Sequence, residues 1–150
     1  MNKQKTNYAY IDGSFNPKTK VYGYGGFLID ALGLKHILQG SGNDPDMAKM
    51  RNVAGEIMGA QAAVDKAKEL GLKSLTIYHD YMGISMWPLG KWKCKNKYTK
   101  AYAEYIWKSI MEAGMKVSFK HVKGHSGNAL NDEADMLAKA AVGLLKEVVK

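Results

Sequence analysis

The sequence predicts a single α/β domain over residues 1–150, with a five-stranded mixed sheet (three antiparallel strands, then two parallel) flanked by helices. Three observations predict it. Residues 7–39 hold three strand-like stretches joined by short links, which imply an antiparallel meander. After them, helical periodicity alternates with short buried strands, and a helix between two strands of one sheet implies a parallel crossover. The 150 residues are 46% hydrophobic and 24% charged, enough for one sizeable core.

The first strand is Asn7-Tyr8-Ala9-Tyr10-Ile11-Asp12, aromatic and β-branched, ended by Asp12-Gly13-Ser14. Asn16-Pro17-Lys18 marks a turn. A second strand is expected from Tyr24 to Asp30, loosened by Gly23, Gly25 and Gly26, and a third over Lys35 to Gln39, with Gly33 in the turn between. Residues 41–46 form a loop with a helix-start signal. Val53, Ile57, Ala60, Val64 and Ala67 then recur at spacings of 4, 3, 4 and 3, an amphipathic helix stopped at Leu70-Gly71. Ser74 to His79 reads as a buried strand, parallel to the first. Residues 81–97 are irregular, broken at Trp87-Pro88-Leu89-Gly90. Tyr98 to Ala113 is helical, Lys116 to Val122 is the fifth strand, and a last helix runs from Leu130 to the C-terminus on Ala134, Leu137, Ala138, Ala141, Leu144 and Val148.

Composition narrows the class. One cysteine, Cys94, excludes an internal disulfide framework and fits a reducing cytoplasm. No apolar run of about 18 residues occurs and the N-terminus lacks the apolar stretch of a secretion signal, so neither a membrane association nor export is expected. The 22 Lys+Arg against 14 Asp+Glu give a net charge of +8, a field that favours polyanions.

The acids stand out against that field. Asp12 and Asp80 end two strands expected to be parallel neighbours, which puts both carboxylates at one edge, where open α/β sheets place their ligands. Glu56 flanks the apolar side of the first helix, and Asp135 borders the stripe of the last. Two like charges about 4 Å apart repel by roughly 4 kcal/mol at an effective dielectric of 20, so the cluster must either keep protons or take up divalent cations. All-oxygen ligands select hard ions, Mg²⁺ first and Mn²⁺ next. Taken singly these residues have plainer readings: an Asp at a strand end forms turns, and a Glu or Asp on a helix flank is solvated or pairs with lysine.

Four blocks resolve the choice. Tyr10-Ile11-Asp12-Gly13-Ser14 with Gly23-Tyr24-Gly25-Gly26, Asn52-Val53-Ala54-Gly55-Glu56, Ile77-Tyr78-His79-Asp80, and Val122-Lys123-Gly124-His125-Ser126-Gly127 continuing through Asn131 to Asp135 and Ala138 resemble, in order, the blocks of type 1 ribonuclease H. The resemblance implies a ribonuclease H-like fold. It implies that Asp12, Glu56, Asp80 and Asp135 bind two divalent metals, Mg²⁺ with Mn²⁺ as substitute. The implied reaction is hydrolysis of the RNA strand of an RNA–DNA hybrid, leaving 3′-hydroxyl and 5′-phosphate ends. It also gives His125 a catalytic part in proton transfer or product release, which suits an imidazole. His36, His79 and His121 lie in predicted strands and are read as structural or surface residues.

For the hybrid duplex, Ser14, Asn16 and Asn52 are expected near the 2′-hydroxyls, Asn52 foremost because its spacing to Glu56 matches the family. Gln61 is a weaker candidate. Between Asp80 and Glu104 there is no acid, while Lys91, Lys93, Lys95, Lys97 and Lys100 interleave with Trp87, Trp92 and Tyr98, a strand-gripping composition. Trp87 resembles the family's DNA-strand tryptophan; Trp92 is equally well read as a loop anchor. Arg51 stands where the family has a phosphate-binding Thr, and the basic segment is shorter than in some members. No hybrid-binding domain is expected ahead of the core, and the chain is expected to act as a monomeric cellular enzyme. The alternatives are a resolvase- or integrase-type nuclease on the same sheet, which would lack the Gly-His-Ser-Gly block, and a non-catalytic nucleic-acid-binding module, against which the four intact carboxylates argue.

Overall fold

The computed structural model describes residues 6–123 and 128–145. Its strands are β1 (Tyr8–Asn16), β2 (Val21–Ile29), β3 (Lys35–Gly42), β4 (Ser74–His79) and β5 (Lys116–His121). Its helices are α1 (Asn52–Glu69), the single turn α2 (Gly83–Met86), α3 (Lys97–Met111) and α4 (Ala129–Ala141), with a 3₁₀ turn at Met47–Met50. The sheet order is β3-β2-β1-β4-β5; β1/β2 and β2/β3 are antiparallel, β1/β4 and β4/β5 parallel.

Burial follows position in the sheet. Central β1 is covered on both faces, so Ala9, Tyr10, Ile11 and Asp12 are all buried in succession, whereas edge strand β3 alternates with solvent. On one face Ala9, Ile11, Leu28 and Ile77 pack with Ile57, Ala60 and Val64 of α1 and Tyr102 and Ile106 of α3. The other face carries an aromatic row across three strands at one rung. Tyr10 of β1 stacks on Tyr78 of β4 at 4.5 Å between ring centroids and on Phe27 of β2 at 5.8 Å, and Ala134 and Leu137 of α4 close over them.

The helix ends have local causes. Asn96 caps α3 in a capping box with Thr99, and Asn128 caps α4 by accepting from the amides of Leu130 and Asn131. Gly71, at φ +74°, terminates α1. Several boundaries differ from the sequence reading. β1 does not end at Asp12 but runs to Asn16, because its antiparallel ladder with β2 continues to the Asn16↔Val21 pair, so Asp12 lies within the strand. β2 starts at Val21 because the turn over residues 16–20 is tight, Lys20 N–H bonding Asn16 O at 2.8 Å. β3 runs on to Gly42, since its ladder with β2 extends to the Tyr22↔Gly42 pair. The last helix closes at Ala141, where Gly143 takes φ +79°; Val148 lies outside the described residues. None of the described helices is long and apolar enough to cross a membrane.

Helix α1 reaches the sheet on a seam of small residues, Gly55, Gly59, Ala60, Ala63 and Ala67. A Cβ on Gly55 would sit 1.8 Å from the Gly23 carbonyl oxygen, a backbone atom that cannot swing aside. Gly55→Ala is therefore expected to lower stability by about 1–3 kcal/mol, the range for overpacking, read as a drop in the urea midpoint with unchanged slope.

Candidate active site

Parallel pairing of β1 with β4 carries Asp12 and Asp80 to the same edge of the sheet: the ladder runs Tyr8↔Thr76 to Tyr10↔Tyr78, and each Asp lies two residues past the last rung. Glu56 arrives from the first turns of α1. Its approach depends on Gly13, whose Cβ would meet Asn52 O at 2.4 Å and Glu56 N at 2.5 Å. With that space open, the Gly13 N–H donates to Asp12 Oδ1 and to Glu56 Oε2, 2.9 Å each. Carboxylate oxygens of Asp12, Glu56 and Asp80 come within 4.8 Å of one another.

This is a poor place for three charges. Asp12 is 5% exposed and Glu56 1%. Burial, then the neighbouring Asp80 and Asp135 charges, push the Asp12 carboxyl up to about 7. Glu56 is held well above the usual carboxylate range by burial and by the charges of Asp12 and Asp80. Asp80 is raised by burial and then by Asp135. Glu56 Oε1 is buried with no hydrogen-bond partner among the described residues, an acceptor left open toward whatever fills the cluster.

Asp135 sits on the border. It lies outside the three-carboxylate group, and its Oδ2 is paired with Lys139 Nζ at 3.0 Å, one turn along α4. Its charge nevertheless acts on both Asp12 and Asp80. Asp132 points to solvent and Glu133 pairs with Lys35. His125 lies outside the described residues.

The residues expected to touch nucleic acid divide. Ser14 is buried on β1. Asn16 is buried too: its Nδ2 donates to Val142 O at 2.9 Å and its Oδ1 accepts from Lys18 N at 3.0 Å, so its amide ties β1 to the end of α4. Asn52 opens α1 and is exposed beside the cluster. Arg51, the residue before it, adopts φ 57° and ψ −130° and lays its guanidinium over Phe15, 4.9 Å from the ring centroid. Gln61 is half-buried on α1.

The basic segment folds into a hollow of about 620 Å³ beside Asp80, lined by Tyr81, Trp87, Trp92, Lys91, Lys93 and Lys95 together with Met50 and Val53 of the α1 side. The two tryptophans meet edge to face at 5.9 Å, and Tyr81 packs against both. Trp87 is half-buried, while Trp92 is 41% exposed. Lys93 is exposed. The sequence reading passed over Tyr81 although it directly follows a strand-ending Asp, and it had no means of finding Lys139 or the shared Gly13 amide, which depend on the third dimension.

The RNase H family model matches residues 4–143. Human ribonuclease H1 is 37% identical over 101 residues, which cover 61% of this chain and 35% of the human protein. The ribonuclease H of Francisella tularensis subsp. novicida is 33% identical over 148 residues, covering 91% of each. Among solved structures, LC11-RNase H1, isolated from compost, superposes with a TM-score of 0.74 at 20% identity, over 92% of this chain and 96% of that one. LC11-RNase H1 in complex with an RNA/DNA hybrid gives 0.70 at 16% identity, over 91% and 99%. At those identities the structural likeness speaks to the fold, which it matches nearly end to end. Sequence kinship over nearly the whole chain, which carries the three acids on that same sheet, makes this chain a member of the RNase H family.

Proposed function

We propose that the protein is an endoribonuclease that hydrolyses the RNA strand of RNA–DNA hybrids with Mg²⁺, acting as a cytoplasmic monomer. The observation that carries this is the meeting of Asp12, Glu56 and Asp80 within 4.8 Å, with Glu56 Oε1 lacking a partner. An all-oxygen donor set with an open buried acceptor fits a hard divalent cation, Mn²⁺ being the natural substitute. Asp12, Glu56 and Asp80 would hold it, and Asp135, once released from Lys139, would complete the set. Ions bound there would activate an attacking water and stabilise charge developing on the leaving 3′-oxygen.

The chain's own groups supply the rest. The Gly13 amide fixes the Asp12 and Glu56 carboxylates against rotation. Asn52 contacts a 2′-hydroxyl, the group that tells RNA from DNA, a role supported by its exposure at the start of α1. Arg51 and Lys93 supply phosphate-neutralising charge, and Trp87 and Trp92 offer flat apolar surface to sugars and bases of the opposite strand. Ser14 and Asn16 support the site from within, through the packing of β1. His125 accepts or returns a proton during turnover.

The test is cleavage of labelled hybrid, duplex RNA and duplex DNA with Mg²⁺, Mn²⁺ or EDTA. Hybrid-selective, EDTA-sensitive cutting is expected; binding without cutting would leave a passive nucleic-acid module instead. Asp12→Asn is expected to lower hybrid cleavage at least about 10²-fold, since several kcal/mol of transition-state stabilisation pass through that ligand. The same substitution raises stability in EDTA at pH 8 by removing one of the crowded charges, a gain visible in thermal melts. His125→Ala is expected to slow turnover with hybrid affinity largely kept, checked by steady-state kinetics against direct binding.

A pH dependence follows for the metal-free protein. Asp12 keeps its proton to about pH 7 when folded, whereas in the unfolded chain it ionises near 4. Between those values the folded state holds the extra proton, so stability falls as pH rises, by up to about 1.4 kcal/mol per unit for each such group. Above about 7 the Asp12 contribution is constant, and Glu56 extends the slope in the same sense. Melting in EDTA from pH 5 to 8 should show the midpoint falling, with Mg²⁺ restoring it at pH 8.

A further inference from the structure

The parallel ladder between β4 and β5 ends at the pair His79↔His121, and its last backbone bond runs from Val122 N–H to His79 O at 2.8 Å. Asp80 therefore lies just past the sheet, where no neighbouring strand holds the backbone. The two histidine side chains take over at that point. His121 Nε2–H donates to the carbonyl oxygen of Asp80 at 3.0 Å. His79 Nδ1–H donates to the carbonyl oxygen of Tyr81 at 3.0 Å, an oxygen that also accepts from Ile84 N–H at 3.2 Å and so starts α2. A carbonyl can only accept, so each of these two ring nitrogens carries a hydrogen. The rings stand edge to face, 6.0 Å apart.

His79 is otherwise an unfavourable residue at its position. It is fully buried, its Nε2 has no partner among the described residues, and only Phe119 and His121 face its ring as aromatic neighbours. An apolar side chain would fill the same space without an unsatisfied nitrogen. What the imidazole adds is the single bond to the Tyr81 carbonyl. His121 thus fixes the carbonyl of Asp80 itself, which with the strand-paired His79 carbonyl sets the direction of the Asp80 side chain, and His79 fixes the Tyr81 carbonyl in the turn that follows.

We infer that His121 and His79 are positioning residues, which extend the sheet's pairing beyond β4 and hold Asp80 in the carboxylate cluster. The inference rests on Asp80 being a metal ligand of the proposed reaction. Neither ring contacts the metal or the substrate in this scheme, and the role is played by the two N–H donors, through geometry.

The two rings use different nitrogens, which gives the test its form. In substitution, Gln places its amide nitrogen near a histidine Nε2 and Asn places its own near Nδ1. His121→Leu is expected to weaken Mn²⁺ binding to the substrate-free protein about 10-fold, measured by calorimetry, and to raise the Mg²⁺ needed for half-maximal hybrid cleavage by a similar factor. KM for hybrid and the melting temperature in EDTA stay near wild type. His121→Gln recovers metal binding and His121→Asn does not. His79→Asn recovers what His79→Leu loses, while His79→Gln does not; should the buried His79 variants fail to fold, the His121 series alone decides. Wild-type Mn²⁺ affinity in His121→Leu, or equal defects in His121→Gln and His121→Leu, overturns the inference. Asp80→Asn, run in parallel, separates the two levels: if it leaves hybrid cleavage intact, the proposed reaction itself fails, whatever the histidines do.

Discussion

Asp12 and Asp80 share one edge of the sheet because β1 and β4 run in the same direction, and that direction is imposed by the crossover through α1. An antiparallel neighbour would send the second carboxylate to the opposite end. The same crossover helix carries Glu56 back over the edge it created. Three acids from three separate stretches are thus delivered by one topological unit, and the rest of the molecule accommodates their repulsion. α1 is drawn down by glycine contacts, the Gly13 amide restrains two carboxylates at once, and Lys139 balances Asp135 at the margin. Burial and mutual repulsion together raise the Asp12 and Glu56 carboxyls and so favour their protonated forms.

Around this negative hollow the protein is positive, with a net charge of +8. The lysines of residues 91–97 stand beside the aromatic group of Tyr81, Trp87 and Trp92, so attraction for a polyanion and surface for its sugars and bases occupy one place. Long-range charge brings phosphates in, and the acidic cluster admits them only with accompanying cations. These opposed fields lie next to each other because Asp80 directly follows β4, and the chain from Tyr81 through α2 leads to the lysines of residues 91–97.

Much of this was legible in the residues. The hydrophobic spacing of residues 53–67 and the strand-like runs ending in Asp12 and Asp80 contained the crossover and, with it, the shared edge. The resemblance of four blocks to one family added Asp135, whose helix flank alone said little. Boundaries were less legible where they depend on pairing: β3 extends because β2 offers partners out to Tyr22, and α4 stops at a left-handed glycine inside an otherwise apolar stripe. Asn16 reads as a polar residue in a turn, yet its amide bonds to Val142, 126 positions away, a contact that no local pattern encodes. His79 and His121 read as ordinary strand residues, since what they hold lies beyond the strand's end.

The contact of Gly55 with the Gly23 carbonyl sets helix against sheet as backbone on backbone, one residue before Glu56. Side chains in a core can exchange rotamers and creep, but main-chain atoms in van der Waals contact form a hard stop. The helix therefore cannot move closer to β2 at the residue before Glu56, whatever side chains pack nearby. Bulk added at Gly55 would thus reach the acidic cluster through the very next residue, lifting Glu56 away from Asp12.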